Sequence, residues 1–576
     1  MRLADGPQNG AMKKNIGISV VLAVIAILMC AGCRSFQEQA ETSFLYDDSV
    51  QKLKTIEPAG ATAILFDKNG ILMEINAGYA NIEHKTPFNG STRVSIGDLS
   101  EIIISILVMQ LAEQGKIDID TPFRNYSNIG GTRTESPSGL RIQESTIREM
   151  LYHGTGIRAN YALTLKGYNP ATQLNLLLRQ APVIRETGTA RIQSSALFDM
   201  LGLFLASLEQ DDLGTYSKRH LFDFLCMRSA SYGPTDNDVL YAAHYKYGAP
   251  LSEPEDPPAP SKAFVADSYD LVRLFSIFFE NDDDEIRKSI LSRSSIEDMI
   301  SSQSAAIERN QGYRVGLPWL LGPSELSYIG QGVWYSGKYI AHRACVILLP
   351  EKGIGALAVT NSWAWDANET LYAVCTSLLA QYAKKVLGIY RPPSSPLLQE
   401  SEISENIQSW IEGNYASDLG LIKIRVAGKK LLATYSGITS EFSYIPNEGF
   451  VAGNRMFDIR RIQPAGNSLI DLQFSSGFIS FSCNKIPEYS YPTAWRSLPG
   501  TYRRNTADTA LPYALTIRVE DGIYLVSGDD GREYVLLPEI DGRAKIVCNE
   551  SSVFWGNALI PCGPESIKVG ECQYNQ

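Results

Sequence analysis

Histidine and cysteine are scarce in this sequence, which has 5 His and 9 Cys among 576 residues. No Cys-x-x-Cys pair is followed by a second pair, so we expect no structural zinc site, and nothing else in the sequence calls for a cofactor. Lys and Arg (52) are outnumbered by Asp and Glu (63), which gives a formal charge of -11. Because nucleic-acid binding depends on clustered Lys and Arg, no nucleic-acid partner is expected.

Long apolar runs are rare as well, and the clearest one lies near the N-terminus. Ile16 to Gly32 carries no charge and follows Lys13 and Lys14; Met12 is an alternative start to Met1. The run is shorter than the roughly 20 residues of a spanning helix and is typical of a secretory signal peptide. An uncleaved anchor helix is the alternative, and both interpretations predict an exported, membrane-tethered chain.

The end of this run resembles a bacterial lipoprotein signal. Ala31 and Gly32 precede Cys33, which by this resemblance becomes the lipid-bearing (palmitate-type) N-terminus, although Cys30 stands where Leu is usual. The resemblance implies attachment to the bacterial cell membrane or outer membrane, facing the periplasm or the surface.

Composition divides the rest of the chain. Strand and helix signals alternate up to residue 390, a Pro- and Ser-rich linker follows, and short strands with Gly turns come last. The predicted divisions are 1–33 signal peptide, 34–48 tether, 49–390 large α/β-type domain, 391–404 linker, 405–490 first β unit and 491–576 second β unit.

Periodicity and turn residues predict individual elements in the large domain. The predicted hairpins are Ala61–Phe66 with Ile71–Ile75, and Cys345–Leu349 with Ile354–Thr360; the predicted helices are Leu99–Gln114, Thr146–Tyr152, Leu197–Leu208 and Ala367–Leu387, the last with Asp366 as N-cap.

The C-terminal part repeats itself. Ile411 to Tyr415 matches Leu498 to Tyr502, and Ile422 to Val426 matches Leu515 to Val519. Two copies are too few for a solenoid, so the repeat predicts two small antiparallel units, lipocalin-like or barrel-like.

Seven cysteines follow the tether, and all except Cys483 fall into two groups. Apolar surroundings predict that the first group is buried: Cys226, Cys345 and Cys375. Export allows one disulfide in the second group, whose pairing stays open: Cys548, Cys562 and Cys572.

Six segments of the large domain match one known family in order. They are Thr92–Gly97, Val108–Asp120, Thr146–Ile157, Ala266–Leu271, Leu348–Gly353 and Val359–Ser362. The domain resembles the serine β-lactamase-like and penicillin-binding-protein-like hydrolases, in their class C, esterase and D-aminopeptidase branch. The resemblance implies an antiparallel sheet with a helical subdomain, and a site built from Ser-x-x-Lys, Tyr-x-Asn and Lys-Thr-Gly or His-x-Gly motifs.

The first motif is replaced. Asp98 stands at the nucleophile position and Glu101 at the lysine position. Attack by an aspartate on an ester or amide would give a high-energy anhydride, and Glu101 adds negative charge where the family has a cation. The sequence therefore predicts that the family's mechanism is absent.

The other two motifs are also replaced. Gln193-Ser194-Ser195 stands in place of Tyr-x-Asn, and Tyr335 in place of Lys or His, while Gly337 is kept. No catalytic motif is intact.

Asp98 and Glu101 have a structural interpretation, a capping box at the start of the helix. A binding or new acid–base role is a second interpretation. Misalignment is a third, although the Ser-x-x-Lys patterns at Ser49 and Ser482 lie outside the expected helix.

Lys338 follows Gly337 where the family places an oxyanion-hole amide, and its side chain is a candidate partner for Asp98. We take Asp98, Gln193, Tyr335 and Lys338 as hypothetical ligand-binding residues.

Five other residues near these motifs are weaker candidates. His153 is expected to be a structural histidine; His342 and Arg343 either face the cleft or lie on an exposed edge; Trp319 and Trp334 suit the core equally well.

Three functions remain open at this stage. The first is a catalytically inactive lipoprotein that binds a cell-wall (peptidoglycan) peptide or an envelope protein. The second is an active hydrolase of D-Ala carboxypeptidase, esterase or β-lactamase type with a relocated nucleophile. The third is a structural or adhesive surface lipoprotein.

Overall fold

A computed structural model describes much of the chain after residue 48. The described residues are 49, 51–56, 58–126, 137–157, 183, 185–235, 238–252, 259–279, 285–311, 314–363, 367–392, 400–417, 420–435, 438–445, 449–452, 455–462, 471–476, 479–486, 491–504, 513–528, 533–539, 543–547, 558–563, 566–569 and 572–576. The predicted signal peptide with Cys33, the tether, Asp366 and residues 393–399 of the predicted linker lie outside these ranges. Within them, no helix combines the length and apolar character needed to cross a bilayer.

Strands and helices alternate through the first two thirds of the chain. The strands are β1 Ala61–Asp67, β2 Gly70–Ala77, β3 Tyr79–Asn81, β4 Thr86–Pro87, β5 Val94–Ser95, β6 Ser231–Tyr232, β7 His244–Lys246, β8 Ala249–Leu251, β9 Phe264–Ala266, β10 Arg314–Val315, β11 Leu320–Leu321, β12 Val333–Tyr339, β13 His342–Leu349, β14 Ile354–Thr360 and β15 Ser362–Trp363. The helices are α1 Ser100–Glu113, α2 Pro137–Glu144, α3 Ile147–Leu151, α4 Ser195–Glu209, α5 Leu213–Ser217, α6 Ser268–Phe275, α7 Glu285–Ile290, α8 Arg293–Met299, α9 Ala305–Gln311 and α10 Ala367–Lys385.

The central sheet has seven strands in the order β10-β11-β12-β13-β14-β1-β2, with every pair antiparallel. Helix α10 packs on one face and the other helices, including α1 and α4, form the core on the opposite face. Because both faces are covered, β13 is buried along its whole length, and the apolar run of the sequence there is continuous instead of alternating. Both predicted hairpins and all four predicted helices form.

Two closed eight-stranded barrels follow the short helix α11, Glu405–Ile411. The first consists of β16 Gly413–Ser417, β17 Gly420–Ala427, β18 Lys430–Tyr435, β19 Ile438–Ile445, β20 Gly449–Ala452, β21 Arg455–Ile462, β22 Asp471–Ser476 and β23 Ile479–Lys485. The second consists of β24 Gly500–Arg504, β25 Ala514–Glu520, β26 Ile523–Ser527, β27 Glu533–Pro538, β28 Ala544–Val547, β29 Ala558–Gly563, β30 Ser566–Val569 and β31 Cys572–Asn575. The predicted fold class is confirmed.

The repeat is visible in one hydrogen bond that both barrels share. The Tyr415 hydroxyl donates to the Ile411 carbonyl at 2.8 Å, and the Tyr502 hydroxyl donates to the Leu498 carbonyl at 2.8 Å. Each buried tyrosine therefore joins the first strand of its barrel to the end of the short helical segment before it.

The barrels also contact each other through β16, β17 and strands β26 and β27. Ala416 and Leu421 pack on Leu525 and Val535, and the Lys423 ammonium lies 2.5 Å from a carboxylate oxygen of Asp521 at the edge of this contact.

One cysteine prediction is wrong. Cys345 and Cys375 are buried as predicted, but Cys226 is exposed. It lies in a turn, with a positive φ of 54°, that follows the short helical segment Lys218–Phe222 and leaves the apolar core. Cys562 is a free, exposed thiol. Cys548 lies outside the described residues.

Strand β12 lies against the start of α1, and a glycine makes this approach possible. A Cβ placed on Gly337 would lie 2.0 Å from the Ile96 carbonyl oxygen and 2.8 Å from the Leu99 amide nitrogen. Backbone atoms cannot move aside as a flexible side chain does, so only glycine fits at this point of the strand.

We therefore predict that Gly337→Ala lowers the free energy of unfolding of the large domain by about 3 kcal/mol, because it separates β12 from α1. Chemical denaturation measures the change. Gly330→Ala is the matched control, since its Cβ would have no neighbour closer than 3.6 Å. Equal stability of both variants would contradict the packing described here.

Candidate functional site

Asp98 lies at the predicted nucleophile position, in the short 3-10 turn Gly97–Leu99 that leads into α1. Its carboxylate is almost completely buried and has two partners. The Lys262 ammonium lies 2.5 Å from Oδ1, and the backbone N–H of Lys338 donates to Oδ2 at 3.2 Å. The position from which a nucleophile would attack thus holds an internal ion pair.

The capping-box prediction for Asp98 and Glu101 is wrong. Helix α1 begins at Ser100, its N-cap is Leu99, and no side chain accepts a capping hydrogen bond there. Both carboxyl groups accept hydrogen bonds from other segments instead. Asp98 accepts from Lys262 and Lys338, and Glu101 accepts from side chains that include Tyr335.

Lys262 was not identified from the sequence. Lys262 is the last residue of the 3-10 turn Pro260–Lys262. The backbone N–H of Ser261 in this turn donates a 2.8 Å hydrogen bond to a carboxylate oxygen of Asp199 in α4. No motif marks this lysine, and only the fold brings it to Asp98.

The ion pair decides the charge state of both partners. Burial alone would raise the pKa of Asp98, but Lys262 and Lys338 outweigh it and hold this pKa below its usual value. Burial likewise opposes the charge on Lys262, and Asp98 raises the pKa of Lys262 above its usual value. Each partner therefore keeps its charge because the other is present.

Glu101 occupies the lysine position and is completely buried in a separate hydrogen-bond network. The Tyr335 hydroxyl donates to Oε2, His153 Nε2 lies 3.1 Å from the same oxygen, and the Gln193 amide donates to it at 3.3 Å. Burial first, and the charge of Asp98 second, raise the pKa of Glu101 to about 8.

His153 is a structural histidine in this network. Its Nδ1 accepts the Ser194 amide at 3.2 Å, which leaves the proton of the neutral ring on Nε2, beside Glu101 and Tyr335. Burial, followed by the charge of Arg191, holds the pKa of His153 well below its usual value. The ring is therefore neutral near pH 7.

The segment before α4 contributes one predicted and one unpredicted residue. Gln193 contacts both Glu101 and Tyr335, whereas Ser195 is the buried first residue of α4. Arg191, which sequence reasoning missed, donates to the Tyr335 hydroxyl at 3.2 Å and lies over its ring at 5.8 Å.

The closing strand differs from the sequence-based expectations in two respects. Lys338 contacts Asp98 through its amide, and the ammonium paired with Asp98 belongs to Lys262. His342 and Arg343 do not lie on an exposed edge, because β13 pairs on both sides and buries them. Trp319 and Trp334 are buried core residues.

Two serines near Asp98 form hydrogen bonds with residues outside the motif. The Ser95 hydroxyl lies 2.8 Å from the Tyr241 hydroxyl, and the Ser100 hydroxyl accepts the Phe264 amide at 3.3 Å. Within the described ranges, no group of His, Cys, Asp and Glu is arranged to hold a metal ion.

The family follows from a direct comparison. The Beta-lactamase family model matches residues 51–374, more than half of the chain. The chain belongs to the β-lactamase family. Its domain of this family is the large domain described above, with the sheet, α1 and the closing strand β12.

Known relatives are distant. The chain is similar to PbpX, a candidate penicillin-binding protein of Bacillus subtilis (strain 168), with 24% identity over 209 residues, 36% of this chain and 50% of the relative. It thus spans about half the length of that relative.

Among solved structures, SurE with D-Leu matches 78% of this chain and 100% of its own length (17% identity, TM-score 0.54). The octameric penicillin-binding protein homologue from Pyrococcus abyssi matches 77% of this chain and 100% of its own length (19% identity, TM-score 0.50). At these identities the structures show the fold alone.

The raised pKa of Glu101 predicts how stability depends on pH. Between an ordinary carboxyl pKa near 4.5 and the folded value of about 8, the folded state keeps a proton that the unfolded state releases. Stability should therefore fall as pH rises through this window, by roughly 1 kcal/mol per pH unit. Asp199, whose pKa burial raises to about 7, contributes in the same direction.

Glu101→Gln should reduce this fall between about pH 6.5 and 8, as measured by chemical denaturation at several pH values. Glu209→Gln, a change near the end of α4 in a carboxyl paired with Lys116 at the surface, is the control and should leave the slope unchanged. A Glu101→Gln slope equal to that of the unmodified chain would show that Glu101 is already ionised.

Proposed function

We propose that this chain is a catalytically inactive member of the β-lactamase family that acts as a binding or scaffolding protein of the bacterial cell envelope. A lipid on Cys33 would attach it to the membrane. The ligand class that we propose for the cleft is a cell-wall peptide or a related D-amino-acid compound.

One observation carries the proposal, the ion pair between Asp98 and Lys262 at the nucleophile position. A covalent intermediate needs a nucleophile with a nearby base. Asp98 instead has a carboxylate whose negative charge is stabilised by Lys262, and its acyl product would be an anhydride. The ion pair therefore stands where the family has its nucleophile, and it stabilises the folded site instead of supporting a covalent intermediate.

The oxyanion position supports the same conclusion. A hydrolase of this family needs backbone N–H groups directed at the substrate carbonyl oxygen. The Lys338 N–H donates to the Asp98 carboxylate, so a substrate carbonyl would have to displace a charged acceptor to reach it.

The lysine position supports it as well. Glu101 is completely buried and has donors from three side chains, Tyr335, His153 and Gln193. A carboxyl in this environment has neither access to a substrate nor the positive charge of the family's base.

Other observations support the proposed ligand class and the proposed location in the cell envelope. The signal-like N-terminus supports export and attachment. The family, the name of the PbpX relative and the D-Leu in the SurE structure support a ligand with D-amino acids. The two barrels would cover the cleft or contact an envelope partner.

The test uses covalent probes. The purified full-length chain is incubated with a labelled penicillin and, separately, with a fluorophosphonate, and intact mass is measured. We expect no adduct, because no serine with an adjacent base stands at the nucleophile position. A catalytically active family member treated in parallel shows that the probes react.

A stoichiometric adduct that Asp98→Asn leaves unchanged and that peptide mapping places on a serine would contradict the proposal. It would establish the alternative, a hydrolase with a relocated nucleophile.

A further inference from the structure

A group of cations lies beside the site, on strands β7, β12 and β13. Lys338 lies directly opposite Arg343 in the pairing of β12 with β13. Arg343 lies over the indole of Trp363 at 5.7 Å, and the Lys246 ammonium lies over the same ring at 4.5 Å. Two cations thus lie over one partly exposed indole, and Lys338 lies opposite one of them. Lys246, Trp363, Lys338 and Arg343 are called the rim cluster below.

No carboxylate within the described ranges forms an ion pair with Lys246, Lys338 or Arg343. On the site side, Asp98 forms its ion pair with Lys262, and its charge also acts on Lys338 and Arg343. On the β7 side, Glu83 accepts the Tyr245 hydroxyl. In a chain of net charge -11, three cations without an ion pair to any described carboxylate therefore lie close together at one end of the cleft.

Arg343 makes this arrangement costly. Only 7% of the residue is exposed, and one terminal nitrogen donates to the carbonyls of Ile340 and His342 at 2.8 Å. Burial lowers the pKa of Arg343 to about 10, with only Asp98 acting in the opposite direction. A buried cation without a carboxylate is unfavourable unless an anion approaches it.

We infer that the rim cluster binds an acidic polysaccharide, with carboxylates of the sugar chain at Lys246 and Lys338 and a sugar ring against Trp363. Three neighbouring cations suit a ligand with several carboxylates better than they suit a single anion. The indole adds an apolar surface on which the C–H face of a sugar ring packs. The inference rests on the proposed envelope location, where such polymers are accessible.

Calorimetry on the full-length chain in detergent tests the inference with three probes. They are polygalacturonate, neutral dextran of similar length and single-stranded poly-dT. We expect polygalacturonate to bind, with an affinity that falls as salt is added, and dextran to bind more weakly. Poly-dT should bind more weakly than polygalacturonate at equal charge, because binding depends on sugar packing as well as on charge.

Two double variants locate the site. Lys246→Gln with Lys338→Gln removes exposed charges of the rim cluster and should weaken polygalacturonate binding about tenfold. Lys429→Gln with Lys545→Gln removes the same charge from the two barrels and should leave binding unchanged. Trp363→Leu, checked for folding by circular dichroism, should weaken binding while it preserves the salt dependence.

Three results would overturn the inference. They are no polygalacturonate binding, equal binding of poly-dT, and equal affinity of the two double variants. None of them affects the covalent-probe experiment, so a catalytically inactive site without a polysaccharide ligand remains distinguishable from an active hydrolase.

Discussion

The site depends on one interaction, the buried ion pair between Asp98 and Lys262. An unpaired carboxylate at this depth would cost several kcal/mol, so Asp98 is tolerated at the start of α1 only because a lysine reaches it. The same pair keeps Lys262 charged in a buried position. It also draws the Lys338 amide onto the carboxylate, which joins the closing strand to the nucleophile turn. The pair thus connects three elements that a hydrolase of this family would use around its substrate.

The second carboxyl is accommodated in a different way. Among the described residues, no cation is a direct hydrogen-bond partner of Glu101, and the proximity of Asp98 makes a second negative charge unfavourable. Because its pKa is raised, Glu101 can keep its proton near neutral pH and avoid this second charge. Hydrogen bonds with Tyr335, Gln193 and His153 stabilise the buried carboxyl group. Two substitutions that look alike in the sequence therefore have opposite outcomes, one charged and paired, the other largely protonated and hydrogen-bonded.

The frame of the fold could be predicted because local signals specify it. Turn residues around Gly70 and Gly353 predict the hairpins, and the matching Tyr415 and Tyr502 indicate the two barrel units. The site could be predicted only in part. Asp98, Glu101, Gln193 and Tyr335 were found by their positions in the motifs, but capping was the wrong role for the two acids. Their partners Lys262 and His153 come from distant segments, and no local pattern records such pairing.

The most direct test of this account is a double-mutant cycle on the pair, measured by chemical denaturation. Asp98→Asn and Lys262→Met should each destabilise the large domain by about 3–5 kcal/mol, because each leaves a buried charge without its partner. The double variant should be more stable than the sum of the two losses predicts, since it leaves neither charge behind. Strictly additive losses would show that the two residues do not interact, and would contradict the account.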